Sequence, residues 1–185
     1  PLLAAIQTHA SIRYKMPNAN LFCKDPFKYI YHSKLTIKEG FNDSLVENLL
    51  NVKQRLNSKT QALLTNGQQS AGDFLLSNDP SVQIIKTIIL NRIRDYRNTY
   101  KSSNNGFIKS WPEEAILHGW IIELKKGGSL SSHMHKLGWL SGSLYLNLKK
   151  PPESNQGNII FSLNGANYPV DSKYFPNEEF NIEKG

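Results

Sequence analysis

Cysteine is almost absent: Cys23 is the only one in 185 residues. No internal disulfide can form, and a zinc site built on several thiolates is excluded. A lone thiol fits a reducing compartment, so a cytoplasmic location is expected. Long apolar runs are missing as well. No stretch approaches the length of a membrane span. Pro1-Leu2-Leu3-Ala4-Ala5-Ile6 is too short for a signal peptide and has no basic segment before it. There is no initiating methionine, and the chain stops in mid-pattern at Asn181-Ile182-Glu183-Lys184-Gly185. A piece of a longer protein is therefore expected. Nor are the basic residues clustered along the chain. The net charge is +7, but Lys and Arg are scattered from end to end. The densest set (Lys86, Arg92, Arg94, Arg97, Lys101) falls on an expected helix, where it reads as a solvated face. A nucleic-acid partner is not expected on that basis, because a basic balance alone is weak evidence. Internal repeats and low-complexity tracts are absent.

What is present reads as helices followed by strands. Residues 1–40 read as an N-terminal extension or linker, in which Pro17, Pro26 and the aromatics of residues 21–31 suggest an extended segment. Residues 41–110 read as a helical layer. Ser44 with Glu47 makes a capping box, and Leu45, Leu49, Val52 and Leu56 recur at helical spacing. Asn66-Gly67-Gln68-Gln69-Ser70-Ala71-Gly72 reads as a polar loop. Asp79 before Pro80 is a helix start, and Ile84, Ile85, Ile88, Ile89, Ile93, Tyr96 and Tyr100 would form one apolar face. After Trp111-Pro112 the character changes. Trp120–Leu124, Leu140–Leu148 and Asn158–Leu163 read as strands, with Pro151-Pro152 and Ser154-Asn155-Gln156-Gly157 as turns. The expected class is α+β, a helical layer ahead of a partial jelly roll over residues 111–185.

The most informative stretch is Ser132-His133-Met134-His135-Lys136-Leu137-Gly138. On a helix, residues i and i+2 point apart, but on a strand they share a face about 7 Å apart at the backbone. Two imidazoles so placed can chelate one metal ion, and Gly127, Gly128 and Gly138 frame the pair. Two ligands do not complete a site, since a catalytic metal commonly needs a third. His118 is a weak candidate for the same cavity. His9 and His32 lie in the extension and carry little weight. The cupin pattern of glycine, five residues, then His-x-His begins correctly at Gly127, but its glutamate should fall at Trp139 or Leu140 and does not. A non-catalytic jelly-roll or cupin-like binding domain is the alternative reading.

From about residue 17 the chain resembles the 2-oxoglutarate- and ferrous-iron-dependent oxygenases of marine bacteria and phages, often found beside tetratricopeptide repeats. The resemblance rests on Pro17-Asn18-Ala19-Asn20-Leu21-Phe22-Cys23 and Pro26-Phe27-Lys28-Tyr29-Ile30. It continues in Asn66-Gly67-Gln68-Gln69-Ser70, Trp111-Pro112 and Gly119-Trp120. The strongest part is His133-x-His135-x-x-Gly138-Trp139-Leu140-Ser141-Gly142 with Leu144-Tyr145-Leu146. It implies a double-stranded β-helix, also called a jelly roll, behind a helical layer. It also implies Fe(II), 2-oxoglutarate and O2 as cofactors, and oxidative decarboxylation of 2-oxoglutarate coupled to oxidation of an unknown substrate. His133 matches the first iron ligand. His135 stands where a carboxylate is usual and would be a second imidazole ligand. The third ligand and the basic partner of 2-oxoglutarate are expected beyond Gly185. Tyr145 matches a tyrosine that holds the distal carboxylate of 2-oxoglutarate. Trp139, Asn147, Gln68 and His118 are weaker pocket candidates. A barrel without its last strands would expose sheet edges, through which an oligomer could form.

Overall fold

The computed structural model describes residues 2–149, 157–164, 168–170 and 175–185. Among them are helices α1 (Leu2–Arg13), α2 (Asp43–Gln54), α3 (Pro80–Tyr100) and α4 (Gly106–Lys109). The strands are β1 (Ser58–Lys59), β2 (Leu64–Ser70), β3 (Ile122–Leu130), β4 (Ile159–Ser162) and β5 (Asn177–Phe180). The chain is α+β, with two small antiparallel sheets ordered β1-β2-β3 and β4-β5. Two compact units interleave along the sequence. The first takes Pro1–His32, Arg97–Trp111 and Ser132–Glu183. The second takes Ser33–Tyr96, Pro112–Ser131 and Lys184–Gly185.

The second unit is built on helical periodicity. Leu45, Val46, Leu49 and Val52 are the buried residues of α2. Its cap is Asn42 and not Ser44: the Asn42 side chain accepts from the Leu45 amide at 2.9 Å. Ser44 already lies inside the first turn, where its hydroxyl has no capping role. A capping box does occur one element earlier, where Thr36 and Glu39 close a short 3-10 turn. α3 starts at Pro80, with Asp79 accepting from the Ser81 amide at 3.0 Å. Val82, Ile85, Ile88 and Tyr96 are its buried side chains among the apolar residues, whereas Ile84 faces solvent, one position off the stripe. Leu49 and Val82 are fully enclosed, at 1% and 0% exposure.

The sheet of this unit departs from the sequence reading. The stretch from Asn66 to Ser70 is no loop: β2 is the central strand, paired to β1 and β3. Its turn-like composition is absorbed by a bulge. Thr65 pairs with Ser129 and Gly67 with Leu124, so Asn66 alone faces Lys125 to Gly128. Asn66 has φ +45° and Gly127 φ +72°. A Cβ on Gly128 would lie 2.6 Å from the Asn66 carbonyl oxygen, so that position must be glycine. The two glycines expected to frame the histidines therefore serve this bulge. β3 is also later and longer than Trp120–Leu124. Among the described residues it has a strand partner on one side only.

The first unit has little regular sheet. α1 gives no sequence signal, because its apolar residues form no stripe and its buried residues are Thr8, His9 and Ser11. Asn20 fixes the chain against α1. Its Nδ2 donates to the Ala4 carbonyl and the Thr8 hydroxyl, both at 3.1 Å. Its Oδ1 accepts from the amides of Phe22 and Cys23 at 3.0 and 3.2 Å. Phe22, Tyr29, Tyr100 and Phe107 then pack ring against ring, with centroids 4.8–6.1 Å apart. The expected strand over Leu140–Leu148 does not form. That segment is irregular, and a strand exists only through a ladder partner, which it lacks among the described residues. β4 and β5 make a two-stranded sheet with Ile159 opposite Phe180. The turns expected at Pro151-Pro152 and Ser154-Asn155-Gln156 lie outside the described residues.

Leu49→Ala removes a side chain with no exposed surface to collapse onto. We expect a loss of about 2–5 kcal/mol in urea unfolding of the chain, against less than about 0.5 kcal/mol for the exposed Leu21→Ala.

Candidate functional site

His133 and His135 follow β3 on irregular backbone, neither helix nor strand. The expectation of a strand at the pair is thus corrected, since β3 ends at Leu130. Their rings nevertheless converge. The two Nε2 atoms are 3.2 Å apart, with ring centroids 5.0 Å apart and planes at 52°. A turn at Lys136-Leu137 follows, in which the Gly138 amide donates to the His135 carbonyl at 3.3 Å. Trp139 then packs edge-on against Phe22, centroid to centroid 5.4 Å. That contact ties the histidine segment to the aromatic cluster of its own unit.

The separation fits two imidazoles sharing one cation. With metal–nitrogen bonds of about 2.1 Å each, it corresponds to an angle at the cation of about 100°. Without a cation, one ring must carry Nε2–H and donate to the other's lone pair. Burial, and next the neighbouring His133, hold the His135 imidazole below its ordinary value. Both effects favour the neutral ring that a metal requires. Among the described residues no group of three or more His, Cys, Asp or Glu could hold a metal ion. The pair brings two imidazole nitrogens together there.

Tyr145 is half-buried on the irregular segment beyond the turn. Burial pushes its hydroxyl above the usual tyrosine range, against a hydrogen bond with Ser143 that works the other way. It stays a neutral donor at all ordinary pH values. Trp139 and Asn147 belong to the same unit. Gln68 and His118 belong to the other. Gln68 lies on β2 opposite Glu123. His118 lies on irregular chain before β3, and its Nδ1 is 2.6 Å from an Asp73 carboxylate oxygen. His9, of little weight in the sequence, is buried: its Nε2 donates to the Pro169 carbonyl at 3.1 Å and its ring stacks on Phe175. His32 packs against Phe180.

Asp73 does not stand out in the sequence. Its carboxylate accepts from the amides of Leu75 and Gly119, each at 3.0 Å, as well as meeting His118. Burial raises its pKa, but the Gly119 amide, the His118 ring and the Leu75 amide outweigh that and hold it below the usual carboxylate range. The available signal is a Gly-Asp step ahead of an apolar run, a good cap site. An open hollow of about 730 Å³ in the same unit contains none of the expected site residues. Arg55 and Asp79, both on its wall, pair at 3.0 Å.

No protein-family model, no curated protein and no solved structure matches this chain. No helix among the described residues is long and apolar enough to cross a membrane.

Asp73→Ala should cost about 1–2 kcal/mol, because two amides lose a part-buried acceptor. The sign with pH follows from the depressed pKa. The stabilisation by the carboxylate is complete above about pH 4 and is lost as pH falls through the lower folded value. Urea unfolding of wild type and Asp73→Asn should therefore converge at acid pH. Parallel stability curves down to low pH would contradict this.

Proposed function

We propose that this chain carries the metal-binding half of a 2-oxoglutarate- and Fe(II)-dependent dioxygenase. The observation that carries the reading is the 3.2 Å approach of the His133 and His135 Nε2 atoms. It coincides with the stretch His133-x-His135-x-x-Gly138-Trp139-Leu140-Ser141-Gly142, the strongest part of the resemblance to those oxygenases. Iron, when bound, would supply the oxidation that couples decarboxylation of 2-oxoglutarate to attack on the substrate.

The chain's own part is to present and orient. His133 and His135 offer two neutral nitrogens to the cation. The third ligand is to come from outside the described residues. Tyr145 would offer its hydroxyl to the distal carboxylate of 2-oxoglutarate, and its raised pKa keeps that proton in place. Trp139, held on Phe22, would wall the site and fix the turn that ends the histidine segment. Asn147, in the same unit, is a lesser candidate for the pocket, whereas Gln68 and His118 belong to the other unit and are given no part in it. The whole catalytic domain would be a double-stranded β-helix. Cys23 has no part in the chemistry: burial, and next Asp25, push its thiol up to about 11, so it stays an inert thiol.

Anaerobic titration with Fe(II), or with Co(II) followed by its visible absorption, tests the pair. We expect one bound metal ion, with affinity falling at least about 100-fold in His133→Ala and in His135→Ala. Because both Nε2 atoms must be unprotonated, affinity should drop as pH falls through the imidazole range. In protein that supplies the third ligand, with iron, ascorbate and oxygen, 2-oxoglutarate should be converted to succinate, and Tyr145→Phe should raise KM for 2-oxoglutarate more than it lowers kcat. Unchanged metal affinity in the double alanine variant would overturn the reading.

A further inference from the structure

We propose that the first unit binds single-stranded nucleic acid through a basic, aromatic surface that chain order conceals. Residues 1–32 and 97–111 fall in this one unit and carry seven Lys and Arg against a single carboxylate, Asp25. They account for six of the chain's seven net positive charges. The remaining segment of the unit is close to neutral, with four lysines and five carboxylates. Arg13, Lys15, Lys24 and Lys28 come from the first stretch, and Arg97, Lys101 and Lys109 from the second. All but Arg13 are exposed. Asp25 is met by Lys28 at 3.3 Å, so that pair adds no net charge to the field, which rests on the other six cations.

The fold brings the two stretches together. The Lys24 amide donates to the Asn105 side chain at 2.9 Å, and the Phe107 amide to the Phe22 carbonyl at 2.9 Å. The Tyr29 and Ser103 hydroxyls are 2.6 Å apart. Cations from segments widely separated in the chain thus share one scaffold. Summed over such a surface, their potential attracts polyanions, and each neutralised phosphate releases counterions.

Two aromatic platforms argue for single strands in particular. Tyr14 is 62% exposed, with the Arg13 guanidinium over its ring at 5.5 Å. Arg97 lies over Trp111 at 6.0 Å. Unpaired bases stack on such aromatic and guanidinium planes, whereas a duplex keeps its base faces inside. An acidic peptide or an anionic membrane would use the charge and leave the platforms idle.

Fluorescence anisotropy of a labelled oligothymidylate of about 20 nucleotides, titrated with the full chain at about 50 mM salt, tests this. We expect binding that weakens steeply with added salt. The pair Lys24→Glu with Lys101→Glu should lower affinity at least about tenfold and flatten the log–log salt slope by about 0.7 for each phosphate no longer neutralised. Tyr14→Ala should lower affinity about fivefold or more at an unchanged salt slope. The pair Lys38→Glu with Lys59→Glu, exposed in the second unit, makes the same charge change and should leave affinity within about twofold. Far-UV circular dichroism of each variant checks that the fold is intact. The proposal is overturned by no binding at low salt, by equal loss from the control pair, or by equally tight binding of duplex DNA, polyglutamate or anionic lipid vesicles.

Discussion

Backbone amides need acceptors even where the backbone is irregular, and here Asn and Asp side chains supply them. Asn20 accepts from two amides and donates twice to α1. Asn105 accepts from the Lys24 amide, and Asp73 from the amides of Leu75 and Gly119. Each of these side chains does for a bend what a ladder partner does for a strand. Removing Asn20 or Asp73 leaves part-buried donors without their acceptor, which costs more than an ordinary surface contact contributes. The aromatic cluster of the first unit depends on this arrangement. Phe22 stands against Phe107 and Trp139 because Asn20 fixes the bend that presents it.

How far the fold is legible in the sequence follows from the range of the forces involved. α2 and α3 are readable because apolar periodicity and an Asp-Pro start are local signals. Asn42 is hidden as a cap because Ser44 with Glu47 offers the same pattern two residues later, and only the geometry of the first turn separates them. β2 reads as a loop because Asn66-Gly67-Gln68-Gln69-Ser70 has turn composition. Pairing on both sides overrides that, with the four-residue bulge in β3 accommodating the left-handed Asn66. Leu140–Leu148 shows the converse. Its alternating apolar residues satisfy the pattern of a strand, but Gly142 and the serines beside it weaken the segment and no neighbour among the described residues supplies a ladder.

Charge is the least legible property, because electrostatics depends on distance in space and chain order hides it. Lys24 and Lys101 are far apart along the sequence, yet their segments are joined by Asn105 and Phe107. The converse holds for acids, which concentrate elsewhere: only one of the chain's 15 carboxylates falls in those two stretches. Arg97 and Lys101, which read as the end of a merely solvated face, thus share a unit with Lys24 and Lys28.

The histidine pair shows how one geometry serves two chemistries that differ by a proton. Two Nε2 atoms 3.2 Å apart suit a hydrogen bond only if one of them keeps its hydrogen. They suit a shared cation only if neither does. Depressing the His135 pKa removes the doubly charged state but does not choose between the neutral ones, since a neutral imidazole can still carry its proton on either nitrogen. The choice lies with Nδ1: an acceptor there draws the proton off Nε2 and leaves both lone pairs to the metal. A cation has to compete with a hydrogen bond that contributes about 1 kcal/mol net, whereas two metal–nitrogen bonds contribute far more. The approach of the rings is thus a weak preference of the bare chain and a strong one once a metal with a third ligand is present.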